Sequence, residues 1–155
     1  MTKNILEWLE ASYQKHPSKI AVADETAEMT YEELVKDAKI LGTKLATYIQ
    51  PRQAVAMYMD KSNTTLAAMY GAVYAGGFYS LIDTRQPIGR IEKIIEVLNP
   101  KVILSNERFY EEAREKLGPT ANIVKVEDII NEGIINENML AGIRKQAAST
   151  DPLYV

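Results

Sequence analysis

Apolar positions along the chain alternate between helical and strand periodicity, the pattern of an α/β domain. Ile5, Leu6, Leu9 and Tyr13 form the stripe of an opening helix. His16-Pro17 ends it, because a residue before proline is pushed out of the helical region. Ile20–Ala23 reads as a short strand, and Asp24 to Glu28 as the turn after it. Thr30 and Glu33 then have the spacing of a capping box. From there Leu34, Val35, Ala38, Leu41, Leu45, Tyr48 and Ile49 recur at helical spacing until Pro51. Ala54–Met59 is apolar at almost every position, as expected of a parallel strand buried on both faces.

The alternation continues. Asn63 is expected to cap a third helix rich in small residues, ended by Gly76-Gly77 and followed by a strand over Phe78–Ile82. Pro87 suits a first helical position, opening a helix with Ile91, Ile94, Ile95 and Leu98 that Asn99-Pro100 closes. Val102–Leu104 is a strand, Glu107–Leu117 a surface helix, Gly118-Pro119 a turn and Ile123–Val126 a further strand. Strand–helix–strand units of this length predict a mostly parallel sheet flanked by helices, with right-handed crossovers. The reading divides the chain into an α/β lobe (1–126), an irregular or helical connector (127–150), and the start of a buried strand (151–155). Short helices are expected near 128–131 and 139–146.

Composition narrows the function classes. With 155 residues the chain has the size of one domain, and 46% hydrophobic and 25% charged residues are ordinary for a globular fold. A net charge of −3, with Lys and Arg dispersed, predicts neither a nucleic-acid nor a membrane partner. The absence of cysteine excludes disulfides, thiolate catalysis and cysteine-bound metal. No stretch approaches the roughly 20 apolar residues of a membrane span. The expectation is a soluble, cytoplasmic chain.

Five collinear segments resemble the adenylate-forming superfamily of non-ribosomal peptide adenylation domains, D-alanine carrier-protein ligases and acyl-CoA synthetases. Lys15-His-Pro-Ser-Lys-Ile-Ala-Val22 is similar to the family's entry, and Met29-Thr-Tyr-Glu-Glu-Leu34 to its Thr-Tyr-x-Glu-Leu motif. Asp60-Lys-Ser62 through Leu66, with Ala75-Gly-Gly-Phe-Tyr79, resembles the second region. Asp83, Pro87, Arg90 and Ile91 keep an Asp-x-x-x-Pro-x-x-Arg-Ile spacing. Asp151-Pro-Leu-Tyr-Val155 resembles the strand leading into the family's Ser/Thr/Gly-rich phosphate loop. The chain departs from the pattern at Ser80-Leu-Ile-Asp83, where the family often has Val-Pro-Leu-Asp, and at Thr84, where proline is common.

The resemblance implies the N-terminal lobe of an adenylation-enzyme fold, truncated before the phosphate loop. Its reaction would use ATP and Mg to convert an amino acid into aminoacyl-AMP, then pass the acyl group to a carrier-protein thiol. The groups for that chemistry lie beyond the matching positions. The chain alone is therefore expected to be inactive, with no catalytic, cofactor-binding or metal-binding residue assigned and no cofactor of its own. Its partners would be the remainder of the adenylation domain, a carrier protein for the parent, and a second copy through the C-terminal strand.

Each candidate group also has a structural explanation. Gly71, Gly76 and Gly77 lack the Lys-Ser or Lys-Thr of a phosphate loop and suit close packing and a turn. His16 suits a solvent-facing loop, Glu33 the helix cap, and Glu111-Glu112 a solvated helix face. Asp83 and Arg90 could sit where α/β sheets bind ligands; the simpler reading has Asp83 fixing a turn and Arg90 bridging to the next helix. The nine tyrosines read as core or interface. Alternative functions are a stand-alone adenylation-like binding module, an acyl-CoA synthetase-type fragment, and an unrelated doubly wound nucleotide-binding domain.

Overall fold

A four-stranded parallel sheet forms the centre of the computed structural model, which describes residues 3–155. The elements run α1 (Leu6–Lys15), β1 (Ile20–Ala23), β2 (Glu28–Thr30), α2 (Tyr31–Leu45), β3 (Ala54–Tyr58), α3 (Asn63–Tyr74) and β4 (Phe78–Leu81). There follow α4 (Ile88–Leu98), β5 (Val102–Ser105), α5 (Tyr110–Leu117), β6 (Asn122–Lys125), α6 (Val126–Glu132) and α7 (Glu137–Gln146). The sheet order is β4-β3-β5-β6, every pair parallel, and β1 and β2 form a separate antiparallel ribbon.

Alternation along β3 explains why it is apolar throughout. Val55 and Met57 face one core with α1, α2, α3, α6 and α7, whereas Ala56 and Tyr58 face a second core with Ile91 and Ile95 of α4 and Ala113 and Leu117 of α5. Helices cover both faces, so neither set of side chains meets water. The α2–α3 crossing is tight because two glycines lie in it. A Cβ on Gly42 would stand 2.5 Å from the Tyr74 Cβ, and one on Gly71 2.7 Å from the Leu41 Cβ.

Several boundaries differ from the sequence reading. The turn expected to run to Glu28 closes earlier, and Glu28–Thr30 pairs with Ile20–Ala23 as β2. Asp24 causes this, its Oδ1 accepting from the Thr26 and Ala27 N–H groups at 2.8 and 3.0 Å. Thr30 does cap α2 with both halves of the capping box, but α2 ends at Leu45 and residues up to Ile49 continue as a turn. Ser62, not Asn63, caps α3 by accepting from the Thr65 N–H; Asn63 is buried in the first turn, its Nδ2 donating to the Ala27 carbonyl. The helix expected from Glu107 begins at Tyr110, because Asn106 Oδ1 accepts the Phe109 N–H and holds a turn there. Val126 opens α6 instead of ending β6.

The stretch read as irregular or helical consists of α6 and α7, both packed on α2. Ile129 and Leu140 are buried, and Lys44–Glu132 and Lys39–Glu137 pair at 3.2 and 3.0 Å. The segment expected to start a buried strand makes a single parallel bridge, Tyr79 to Tyr154, on the outer edge of β4. Leu153 packs on the core, but Tyr154 and Val155 are 68% and 74% exposed.

Candidate functional site

The strand order creates a crevice. The chain leaves β3 for β4 on one side, then returns across β3 to β5 on the other, so the carboxyl ends of β3 and β5 diverge into a topological switch point. A groove of about 800 Å³ lies along this edge. Asp60 and Lys61 follow β3, Asp83 and Arg85 follow β4, and Arg108 and Phe109 follow β5. The crevice itself is bridged: Asn106 Nδ2 donates to Asp60 Oδ1 at 2.6 Å and Arg108 Nη1 to Asp60 Oδ2 at 2.9 Å. Beneath it the buried Ser105 hydroxyl donates to the Tyr58 carbonyl at 2.9 Å.

Most charges along the groove are paired with one another, whereas Lys61 makes no ion pair among the described residues. Arg85 donates from Nε and Nη2 to the two Asp83 oxygens at 3.1 and 3.2 Å, and its own backbone N–H adds a third bond. Those side-chain bonds first, then the N–H, hold the Asp83 carboxyl below its usual range. Glu112 accepts from Lys116 and from the Tyr58 hydroxyl, and these bonds, Lys116 first, lower its pKa. Burial, reinforced by Glu112, pushes Tyr58 up. At neutral pH Asp83 and Glu112 are therefore ionised and the Tyr58 phenol protonated. The lining contains no histidine, cysteine or serine. The lining balances Asp60, Asp83 and Glu112 against Lys61, Arg85 and Arg108.

The sequence-named residues are dispersed around the molecule. Glu33 is held in the cap, its Oε2 accepting the Thr30 N–H at 2.8 Å, and His16 is exposed in the turn after α1. Asp83 does fix a turn, its carbonyl accepting the Gln86 N–H. The salt bridge expected of Arg90 is absent among the described residues; Arg85 occupies Asp83 from within the same turn. Glu111 and Glu112 separate: Glu111 pairs with Arg114, whereas Glu112 is tied to Tyr58. Gly76 and Gly77 precede β4, so they lie at the amino end of the sheet, opposite the groove. Among the described residues no three His, Asp or Glu side chains converge as a metal site would require.

Sequence reasoning missed the β4 edge. Tyr79 and Tyr154 stack there with ring centroids 6.1 Å apart, although 75 residues separate them in the chain and no periodicity links them. Beside them a pocket of about 310 Å³ runs between Ile5, Trp8, Val73, Gly76 and Leu153. Trp8 is 66% exposed.

This geometry is that of a known lobe. Residues 9–154 match the AMP-binding enzyme family, and the chain belongs to it. The nonribosomal peptide synthase roqA of Penicillium rubens is 30% identical over 122 residues, 78% of this chain and 5% of that protein. The AMPPNP-bound form of the nonribosomal peptide synthetase FmoA3 superposes with a TM-score of 0.77 at 24% identity, covering 96% of this chain and 15% of that one. The o-succinylbenzoate CoA synthetase MenE of Bacillus subtilis, in complex with the acyl-adenylate intermediate OSB-AMP, gives 0.74 at 18% identity, covering 88% and 34%. The fold is thus the α/β N-terminal lobe of adenylate-forming enzymes. The chain spans between 2% and 10% of the length of the curated relatives it matches. No helix among the described residues is long and apolar enough to cross a membrane.

Proposed function

We propose that this chain is the N-terminal lobe of an ATP-dependent amino-acid-activating ligase, which forms aminoacyl-AMP and transfers it to a carrier-protein thiol. In this reading residues 1–126 are the lobe, 127–150 its connector, and 151–155 the start of the strand leading to a phosphate loop. The observation that carries it is the parallel bridge of Tyr154 to Tyr79. It directs the 151–155 segment toward the carboxyl edge of the sheet, where open α/β sheets bind ligands. The nonribosomal peptide synthetases among the relatives support an amino acid over a fatty or aryl acid.

ATP and Mg do not find a complete site in the residues present. The arginines of the groove, Arg85 and Arg108, are each bound to a carboxylate, which leaves Lys61 as the one unpaired cation lining it among the described residues. The Gly76-Gly77 turn faces Pro51 and Ile143 at the opposite end of the sheet. A triphosphate needs free cations and a cradle of backbone N–H groups. Those groups would come from the remainder of the adenylation domain, and this chain by itself is inactive.

Amino-acid-dependent pyrophosphate exchange tests the reading. The ligase with all its domains should exchange with one or a few amino acids, and this chain alone with none. Calorimetric titration of the chain with millimolar ATP should be flat. Exchange only with aryl or fatty acids would favour an acyl-CoA synthetase type. Exchange with no carboxylate would favour a stand-alone binding module, and saturable heat from ATP an independent nucleotide-binding domain.

A further inference from the structure

Three turns that precede strands meet at the amino end of the sheet, and Arg52 stands where they join. Its backbone is left-handed, with φ of 67°, a conformation that favours glycine. Its N–H donates to the Gly76 carbonyl at 2.8 Å, joining the turn before β3 to the turn before β4. Its Nε donates to Asp151 Oδ1 at 2.6 Å. The other Asp151 oxygen accepts the Ala148 N–H at 2.8 Å, closing the turn before the edge segment. Two residues on, the Tyr79 N–H donates to the Leu153 carbonyl and the Val155 N–H to the Tyr79 carbonyl, both at 3.1 Å.

A parallel edge strand has no hairpin to set its register. A slip of one residue would exchange Leu153, which packs on the core, with Tyr154, which faces out and stacks on Tyr79. With only one bridge pair to hold it, the segment needs an anchor at its start. We propose that Arg52 and Asp151 are a positioning pair, a clamp that sets the register in which residues 153–155 join β4. Resting on the function proposed above, the clamp also sets where the residues after that segment enter an adenylate-forming site. Arg52 keeps a long side chain where the backbone favours glycine, because glycine could supply the N–H to Gly76 but not the guanidinium to Asp151.

Amide exchange reads this directly. Tyr79 donates outward to the edge segment, whereas its neighbours Phe78 and Ile82 donate inward to Gln53 and Met57 and serve as internal controls. Arg52→Gly removes the guanidinium while relieving the backbone, so the fold is retained. Asp151→Asn keeps an acceptor for Ala148 but loses the charge. Measured by NMR on the chain as it stands, both variants should speed exchange at Tyr79 by about tenfold or more, with Phe78 and Ile82 unchanged. A Tyr79 amide as protected as in the parent would overturn the clamp. So would equal acceleration at all three amides, which reports general destabilisation.

In the ligase with all its domains, R52G should lower kcat for pyrophosphate exchange by about tenfold, with the amino-acid KM within about twofold. An unchanged kcat beside a deprotected Tyr79 would overturn the link to the reaction. Absence of exchange in the parent ligase itself would count against the proposed function while the amide result still decided the clamp.

Discussion

Asp24 joins two parts of the molecule that the chain visits far apart. Its Oδ1 accepts from the Thr26 N–H, the Thr26 hydroxyl and the Ala27 N–H, and its Oδ2 from the Asn63 N–H at 3.0 Å. The last bond, at the start of α3, is the largest cause of a carboxyl held far below its ordinary range, followed by those from Thr26. The folded pKa lies below the unfolded value near 3.9, so the group stabilises the fold fully above that pH. The contribution is lost as pH falls from about 4 toward the folded value. The urea midpoint should therefore drop less steeply below pH 4 in Asp24→Asn than in the parent; parallel acid limbs would contradict the assignment. This role was only half legible in the sequence. A turn at Asp24 follows from residue type, but its bond to Asn63 depends on how the ribbon lies against α3. The same limit explains Asn63 itself, which local chemistry made a cap while tertiary burial drew it into the helix behind Ser62.

Among the helices, glycine shows how packing decides the sign of one substitution. Gly142 sits in α7 with nothing within 4 Å of where a methyl group would stand, so Gly142→Ala should add about 0.5–1 kcal/mol through helix propensity. Gly42 lies in α2 where an added Cβ would meet the Tyr74 Cβ at 2.5 Å and the Gly71 carbonyl at 3.2 Å. Gly42→Ala must push α2 from α3 and should cost about 1–3 kcal/mol in spite of the same propensity gain. Paired denaturant melts test both, and stabilisation by G42A would mean the crossing is looser than described. The helices and strands were themselves readable, because β3 is apolar throughout, α4 carries a clear helical stripe, and Pro51, Gly76-Gly77, Pro87 and Pro100 mark the breaks between elements. The edges blurred where a local side-chain turn shifted a start, as the Asn106 to Phe109 bond does before α5.

Across the full structure, Glu10 ties the first helix to the last. Its Oε1 accepts from the Tyr74 hydroxyl at 2.8 Å and from Arg144 Nη2 at 2.7 Å, linking α1, α3 and α7. Burial, and then Glu10, pushes the Tyr74 pKa up, so the phenol remains a donor at every working pH. Glu10→Ala would leave that buried hydroxyl without its acceptor and should cost about 1–3 kcal/mol. Tyr74→Phe made in the E10A background should cost little or restore stability, which a double-mutant cycle from urea melts reads as positive coupling. Additive losses would show that the two groups act separately. This link binds the 127–150 region into the same core as the sheet.

The candidate site divides along the same line. Asp83 and Arg90 drew notice through motif spacing, yet the structure seats Arg85 on Asp83 and brings Asp60, Asn106 and Arg108 together from positions 46 to 48 residues apart. Sequence alone was enough for the α/β class, the parallel strands, the α2 cap and the family, because periodicity, capping and motif order are local properties. Folding in three dimensions was needed for the strand order that opens the groove, the bridge from Asp60 to Asn106 and Arg108, and the clamp from Arg52 to Asp151. Those are contacts between residues distant in the chain, and their energies depend on distances that no local pattern encodes.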